Sequence, residues 1–245
     1  MPTFILDLDD TLIPNGVFYL KSILDYMSFL YEHQDFNLHL PNVSDLMTII
    51  IKENRKLVEK NGFVITTHPS AYEQVYRNLC DERGISPISE EIVEIRHMGE
   101  FPFRVDYSRY GLLPGVRETL EFLLEQGDEL IVATKGEVGE QRRKMEETGL
   151  FEYIKEENFH VGLRDKIEIF GGLWYNRTGD IVYSVGDNAE HDINDATIFG
   201  MQGIYIPPFR NRMKVPVFVN PERVRRYERF SDIRENYDLL VNNHP

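Results

Sequence analysis

The sequence has few of the features that mark secreted or membrane proteins. It holds a single cysteine, Cys80, so no disulfide can form within the chain. No apolar stretch approaches the roughly 20 residues that cross a bilayer. The first residues also lack a basic segment followed by an apolar core. We therefore expect a cytoplasmic protein that does not bind membranes.

Positive charge is also scarce. The chain carries 27 lysines and arginines against 41 acids, a formal net charge of −14. Such an excess of negative charge opposes general binding to nucleic acid or to anionic membranes, so we expect neither as a partner. The one basic cluster, RVRRYERF at residues 223–230, alternates arginine with other residues. This pattern favours a surface-facing edge strand or helix over a contact with a phosphate backbone.

The chain is nevertheless 42% hydrophobic and 12% aromatic, which is enough for substantial cores. Between Val17 and about Arg104, apolar residues recur three and four apart, the spacing of an amphipathic helix. The pattern predicts four helices, over residues 17–33, 43–62, 70–84 and 89–101. Ser70 is the predicted N-cap of the third helix. The first half of the chain thus contains a predicted four-helix unit.

After Leu113, short apolar runs alternate with helical segments. The predicted strands are FILDLDD at the start of the chain, then ELIVAT, FEYI, IVYSVGD and GIYI. Alternation of this kind predicts a parallel sheet covered by helices. The first strand can join that sheet only if the helical segment is an insertion placed directly after it. We therefore predict an α/β fold, a Rossmann-like doubly wound parallel sheet formed by residues 1–14 and 110–245, with an inserted α-helical cap formed by residues 15–109.

Acidic side chains lie where the predicted strands end. Asp7 and Asp9 follow the first strand, and Asp187 ends IVYSVGD. Ligands of open parallel sheets bind beyond the carboxyl ends of the strands, so these acids are expected to meet. Carboxylates from two strands can share a divalent cation such as Mg²⁺, which prefers hard oxygen ligands. The same acids would be ordinary turn and capping residues if no cation were bound.

Groups suited to phosphate follow the second predicted strand. Thr134 ends ELIVAT, and its hydroxyl, the Lys135 amine and the backbone N–H groups near Gly136 can hold phosphate oxygens. Lys166 opens the helix before IVYSVGD, where a phosphate-facing lysine is well placed. Two other lysines, at positions 144 and 155, lie in the same interval and are alternatives to Lys166. Asp192 is interpreted as a ligand through water, a partner for Lys166, or an N-terminal helix acid.

Four segments in this order resemble the signature motifs of the haloacid dehalogenase-like (HAD) hydrolase superfamily. They are DLDDT, the apolar strand that closes in Thr134, Lys166, and VGDNAEHDI. The helical insertion after the first motif resembles the type I cap of that superfamily. The resemblance therefore implies a HAD-like catalytic core formed by residues 1–14 and 110–245.

The resemblance also implies a mechanism. Asp7 would attack phosphorus to form an aspartyl-phosphate, and Asp9 would protonate the leaving oxygen and later activate water. Mg²⁺ would be held by Asp7, by the main-chain carbonyl of Asp9 and by Asp187. Thr134 and Lys166 would bind the transferred phosphoryl group.

The function predicted from these residues is a magnesium-dependent phosphomonoester hydrolase that acts on a small phosphorylated metabolite. One alternative is a 2-haloacid dehalogenase, although that reaction needs neither a leaving-group acid such as Asp9 nor a metal ligand such as Asp187. The others are a phosphonate hydrolase with a reactive cap lysine and a non-catalytic binding or regulatory protein. The candidate cap lysines are Lys21, Lys52, Lys56 and Lys60. The sequence leaves open both the oligomeric state and the choice among sugar phosphates, phosphoglycolate, nucleoside monophosphates and phosphorylated small acids.

Overall fold

A computed structural model describes residues 1–33, 40–177, 181–208 and 215–242 of the chain. The chain divides into two compact units, each with its own internal packing. The core unit consists of Met1–Pro14 and Asp106–Pro245, and the helical unit is Asn15–Val105. The segment that returns from the helical unit, residues 106–109, groups with the core unit.

A six-stranded, all-parallel sheet forms the centre of the core unit. Its strands are Thr3–Leu6 (β1), Glu129–Lys135 (β2), Phe159–Gly162 (β3), Val182–Gly186 (β4), Gln202–Tyr205 (β5) and Val224–Arg226 (β6). They lie in the order β3-β2-β1-β4-β5-β6. With helices in the connections between the strands, this arrangement confirms the predicted α/β, Rossmann-like fold.

The first strand is central, and three of its four residues are apolar. All four residues of β1 are buried, and Leu6 lies opposite Val132 of β2 on one side and Val185 of β4 on the other. The pairing of β1 with strands that come after the helical unit confirms that the chain returns to the same sheet.

Helices connect the strands of the core unit. The connecting helices are Val116–Glu125 (α5), Val138–Glu147 (α6), Ile167–Tyr175 (α7) and Asp195–Thr197 (α8), whereas Asp232–Glu235 (α9) and Tyr237–Asn242 (α10) follow β6. A buried cluster between the sheet and these helices includes Ile5, Ile131, Phe170 and Met201. A short π-helical turn, Ala189–Asn194, leads directly into α8. The predicted helix near residue 192 is therefore made of two different kinds of turn.

One predicted strand was wrong. The segment FEYI at residues 151–154 is not a strand, because the chain turns at Gly149 (φ 72°) and enters the short 3-10 turn Leu150–Glu152. Ile154 is buried without joining the sheet. The third strand is instead Phe159–Gly162, an edge strand whose residues are all half-buried. An edge strand of this kind lacks the continuous apolar run by which buried strands are recognised.

The arginine-rich segment at residues 223–230 contains β6. This strand pairs with β5 and lies at the edge of the sheet formed by the described residues. Arg226 is exposed, and its guanidinium lies 3.6 Å from the Glu228 carboxylate. The structure thus has the surface-facing edge strand that the alternating pattern favours.

The described residues of the helical unit, 15–33 and 40–105, contain four α-helices. They are Gly16–Glu32 (α1), Val43–Asn61 (α2), Thr67–Arg83 (α3) and Ser89–Glu100 (α4). Their apolar faces share a core that includes Tyr26, Leu30, Leu46, Ile50, Tyr72, Val75, Leu79 and Ile95. Within the described ranges, no helix combines the length and the apolar character that spanning a membrane requires.

The third helix starts earlier than its sequence predicts. Its N-cap is Thr66 rather than Ser70, and Pro69 lies in its first turn, where proline is tolerated because the missing N–H has no helical partner. This start places His68 inside the unit, 4% exposed, with its ring against those of Tyr19 and Tyr72. In the part of the chain that the structure describes, neither ring nitrogen of His68 has a hydrogen-bond partner.

Candidate active site

The site forms where the strand order reverses. The chain runs from β1 to β2 and β3 on one side, then returns past β1 to β4, β5 and β6 on the other. Adjacent parallel strands whose connections leave in opposite directions open a crevice at their carboxyl ends. Asp7 directly follows β1, and Asp187 directly follows β4. The two acids therefore reach the same crevice from neighbouring strands.

Three carboxylates meet there. Asp7, Asp187 and Asp192 each place a carboxylate oxygen within 4.8 Å of the other two. Asp7 and Asp192 are buried, whereas Asp187 is partly open to solvent. The structure thus brings together the predicted ligands Asp7 and Asp187, and it adds Asp192 to them.

A buried lysine bridges two of these acids. The Nζ atom of Lys166 lies 2.5 Å from Oδ1 of Asp7 and 2.7 Å from Oδ1 of Asp192. Lys166 precedes α7 as its N-cap residue and is only 1% exposed. Of the interpretations open for Asp192, the structure therefore shows a partner for Lys166.

The loop after β4 holds Asp192 in place. The backbone N–H of Asn188 donates to Oδ2 of Asp192 at 2.8 Å, and the Ser184 hydroxyl donates to its main-chain carbonyl at 2.6 Å. Gly186 leaves the space that the carboxylate fills, since a Cβ atom there would lie 2.3 Å from Oδ2 of Asp192. The glycine of the VGD sequence is thus required by the position of Asp192.

Burial and charge act in opposite directions on this cluster. Burial, together with the nearby Asp192 carboxylate, raises the pKa of Asp7 to about 7, although Lys166 pulls it down. Burial disfavours the charged form of Lys166, but Asp192 and Asp7 outweigh that cost, and its pKa lies above the usual value. The lysine is therefore a permanent cation between two acids.

The first turn after β1 shapes the surroundings of Asp7. Asp10 has a left-handed backbone (φ 63°), a conformation that Asp tolerates better than most residues. Its N–H donates to the carbonyl of Ile13 at 2.8 Å. The Thr11 hydroxyl then donates to Oδ2 of Asp7 at 3.2 Å. In the described contacts, Asp10 and Thr11 thus build the loop in which Asp7 lies.

Asp9 is not part of the carboxylate cluster. Its side chain contacts α6, where Nζ of Lys144 lies 2.8 Å from Oδ1 and 2.9 Å from Oδ2. The Gln141 amide Nε2 also donates to Oδ2 at 3.1 Å. Neither partner was identified from the sequence as a neighbour of Asp9. The usable signal was their spacing of three residues, which places both on one face of the helix after β2.

The predicted phosphate-binding residues lie at the end of β2. Thr134 and Lys135 are the last two residues of that strand, and Thr134 is buried. Burial lowers the pKa of Lys135, and the charge of Asp192 opposes this shift. Gly136 follows with φ 143°, and a Cβ atom there would lie 2.7 Å from Nε2 of Gln141. Among the predicted phosphate ligands, Lys166 contacts Asp7 and Asp192 directly.

The three carboxylates suit Mg²⁺. All are hard oxygen donors, and the partly exposed Asp187 leaves room for the water that Mg²⁺ keeps in its coordination shell. The three carboxylates share the positive charges of Lys166, which pairs with Asp7 and Asp192, and of Lys135, whose charge also acts on both, so the cluster retains net negative charge. A divalent cation would complete its neutralisation.

The fold can be compared with known proteins. No protein-family model matches the sequence, and no curated protein matches it. Solved structures do match, including a haloacid dehalogenase-like family hydrolase from Xanthomonas campestris, with a TM-score of 0.75 and 15% identity over 99% of this chain and 96% of that one. A protein of Bacillus subtilis described as a HAD hydrolase, solved with bound magnesium, matches with a TM-score of 0.59 and 17% identity over 98% of both chains. A 2-haloacid dehalogenase from Pseudomonas syringae matches with a TM-score of 0.55 and 17% identity over 98% of this chain and 100% of that one.

Proposed function

We propose that this chain, which has the fold of haloacid dehalogenase-like hydrolases, is a magnesium-dependent phosphomonoester hydrolase. Its proposed substrate is a small phosphorylated metabolite of the cytoplasm, and its proposed intermediate is an aspartyl-phosphate. The observation that carries the proposal is the meeting of Asp7, Asp187 and Asp192 with Lys166 at the switch point of the sheet. A buried nucleophile, a candidate metal site and a fixed cation then occupy one crevice.

Asp7 is the proposed nucleophile. Its carboxylate attacks phosphorus while the ester oxygen leaves, which places the phosphoryl group on Asp7. Lys166, held against Asp7 and Asp192, offsets the negative charge that builds on the phosphoryl oxygens. Thr134 and the backbone near Gly136, at the end of the adjacent strand β2, are the proposed donors to the same oxygens.

Asp7 and Asp187 are the proposed side-chain ligands of Mg²⁺, with the main-chain carbonyl of Asp9 as a third ligand. When bound, the ion supplies positive charge that draws phosphate oxygens toward Asp7 and offsets their charge. Asp192 contributes mainly by holding Lys166. In this division of roles, Asp187 is the ligand on the solvent side of the site, because it is the most exposed of the three carboxylates.

Asp9 is the proposed acid and base. An alkoxide leaves phosphorus poorly unless it receives a proton, which Asp9 gives to the ester oxygen. Asp9 then takes a proton from the water that attacks phosphorus and releases Asp7. A second carboxyl group is needed because Asp7 is bonded to phosphorus during both transfers.

Dehalogenation is the competing reaction, because a 2-haloacid dehalogenase has a similar fold. That reaction displaces a halide, which needs neither a proton nor a metal. The three-carboxylate cluster and the additional acid Asp9 therefore favour the phosphatase. The alternative of a phosphonate hydrolase is weaker, because its reactive lysine should be buried and all four candidate lysines, Lys21, Lys52, Lys56 and Lys60, are exposed.

The test is hydrolysis of an aryl phosphate by protein stripped with EDTA, with and without added Mg²⁺. We expect no turnover without the ion and recovery when it returns. Asp7→Asn should lower turnover by at least about 10³-fold, because an amide cannot attack phosphorus. Asp81→Asn, which changes an exposed acid of α3, is the matched control and should retain activity. Full activity in EDTA, or release of halide from 2-chloropropionate by the metal-free protein, would contradict the proposal.

A further inference from the structure

We propose that Lys144 and Gln141 are positioning residues for Asp9, holding its carboxylate so that Oδ1 is the oxygen that exchanges protons during the reaction. The inference rests on the proposed phosphatase function and adds two residues that the sequence did not assign to Asp9. All three side chains belong to the core unit. They join the loop after β1 to the helix after β2.

The contacts of Asp9 distinguish its two oxygens. Oδ2 accepts from Nζ of Lys144 at 2.9 Å and from Nε2 of Gln141 at 3.1 Å. Among the described residues, Oδ1 accepts from Nζ of Lys144 alone, at 2.8 Å. A carboxylate oxygen accepts about two hydrogen bonds, so Oδ2 is saturated and Oδ1 keeps one open position. The open position on Oδ1 is where a proton can be carried or received.

The two partners are themselves fixed. Lys144 is 3% exposed, and its Nζ lies 5.6 Å from the centre of the Tyr107 ring. Gln141 is also 3% exposed, and its Nε2 donates to the main-chain carbonyl of Lys135 as well as to Asp9. Gly136 gives Gln141 the space to do so, because a Cβ atom at that position would lie 2.7 Å from Nε2. The buried Lys144 and the hydrogen-bonded amide of Gln141 thus hold the Asp9 side chain in one rotamer.

The geometry would serve both halves of the proposed reaction. In the first, the proton on Oδ1 of Asp9 passes to the ester oxygen as the bond from phosphorus to that oxygen breaks and the bond to Asp7 forms. In the second, Oδ1 receives a proton from water as the water oxygen bonds to phosphorus and the bond to Asp7 breaks. Asp9 ends as it began, and Lys144 and Gln141 gain or lose no atoms.

The competing interpretation is that Lys144 only ties α6 to the loop after β1. A purely structural ion pair would affect every substrate alike, whereas a device that positions an acid should matter most when the leaving group needs a proton. The leaving group therefore separates the two interpretations.

The experiment measures kcat/KM for an aryl phosphate and an alkyl phosphate with Mg²⁺ present. The variants are Lys144→Met, Gln141→Leu, Asp9→Asn and the double variant Asp9→Asn with Lys144→Met. Lys155→Met, an exposed lysine, is the control. Urea unfolding of each variant records any loss of stability, and Gln141→Leu provides the decisive comparison if Lys144→Met does not fold.

We expect Lys144→Met to lower kcat/KM about 10²-fold for the alkyl phosphate and less than about 10-fold for the aryl phosphate. Asp9→Asn should show the same pattern. Gln141→Leu should lose about 10-fold on the alkyl phosphate and little on the aryl phosphate. When Asp9→Asn is already present, adding Lys144→Met should lower kcat/KM by less than about 3-fold more, because the carboxylate that Lys144 positions has already been removed.

Equal losses on both substrates, or a full additional loss in the double variant, would overturn the positioning role while leaving the phosphatase intact. An unaltered wild-type protein that hydrolyses neither ester would overturn both the proposed function and this inference.

Discussion

Removing the charge of Lys166 should destabilise the core unit more than any exposed substitution. Lys166→Met keeps the length of the side chain but takes away the one cation that contacts both Asp7 and Asp192, at 2.5 and 2.7 Å. Two buried acids would then face each other and Asp187 without the cation that contacts them both, and Lys135 would be left to act on them. Loss of one partner from a buried ion pair costs about 3–5 kcal/mol.

The magnitude is large for a protein of this size. A cost of about 3–5 kcal/mol corresponds to a fall of about 6–20 °C in the midpoint of thermal unfolding. The assay is urea and thermal unfolding in EDTA, with Lys155→Met as the exposed control. Mg²⁺ should stabilise Lys166→Met more than the wild type, because the carboxylates would bind the ion without a competing lysine. Turnover should fall at least about 10²-fold even at saturating Mg²⁺.

A double variant sharpens the test. Asp7→Asn removes one of the repelling charges, so adding it to Lys166→Met should restore part of the lost stability. If Lys166→Met unfolds within about 0.5 kcal/mol of the wild type in EDTA, the reasoning about uncompensated buried charge is refuted. The same conclusion follows if Asp7→Asn with Lys166→Met is less stable than Lys166→Met alone.

Two further predictions follow from close packing and from burial. In Gly186→Ala the new Cβ would lie 2.3 Å from the Asp192 carboxylate, so the substitution should displace that carboxylate and reduce turnover about 10-fold or more. Gly172→Ala is the control, because nothing lies within 4 Å of its Cβ, and it should leave turnover unchanged. Wild-type turnover in Gly186→Ala would contradict the role given to that glycine. Burial lowers the pKa of His68 to about 4, so at acidic pH the imidazole binds a proton more readily in the unfolded chain than in the folded one. The free energy of unfolding of the helical unit should therefore fall by about 3 kcal/mol as pH falls from about 6.5 to 4. His68→Phe should abolish that part of the pH dependence in urea unfolding, and an unchanged pH profile would show that His68 is not the titrating group.

The strands that could be predicted from the sequence are those with a run of buried apolar residues. β1, β2 and β4 are continuous apolar strands, so their ends could be located, and with them Asp7, Thr134 and Asp187. The third strand was missed because an edge strand carries no such run, and FEYI has a more apolar composition than FHVG. The start of α3 was misplaced because Ser70 is a better cap by residue type, while Pro69 was compatible with an earlier start.

The partners of Asp9 could not be found from local pattern. Lys144 lies 135 positions away from it, and only the pairing of β1 with β2 brings α6 beside the first loop. From the sequence, Lys144 is only an alternative to Lys166 for binding phosphate. The structure assigns different acids to the two lysines, Asp7 and Asp192 to Lys166 and Asp9 to Lys144.

The central position of β1 imposes an order on folding during synthesis. Thr3 pairs with Glu129 and with Val182, so the first strand is made long before either neighbour exists. At about 5–20 residues per second, roughly 10 to 35 seconds separate the synthesis of β1 from that of β4. The core of the helical unit is built from residues within 15–105 and can form during that interval. The nascent chain must therefore carry an apolar strand and its acidic loop without the β2 neighbour until Lys135 is made and without the β4 neighbour until Gly186 is made, and a chain that stops before β4 would leave one edge of that strand open to aggregation.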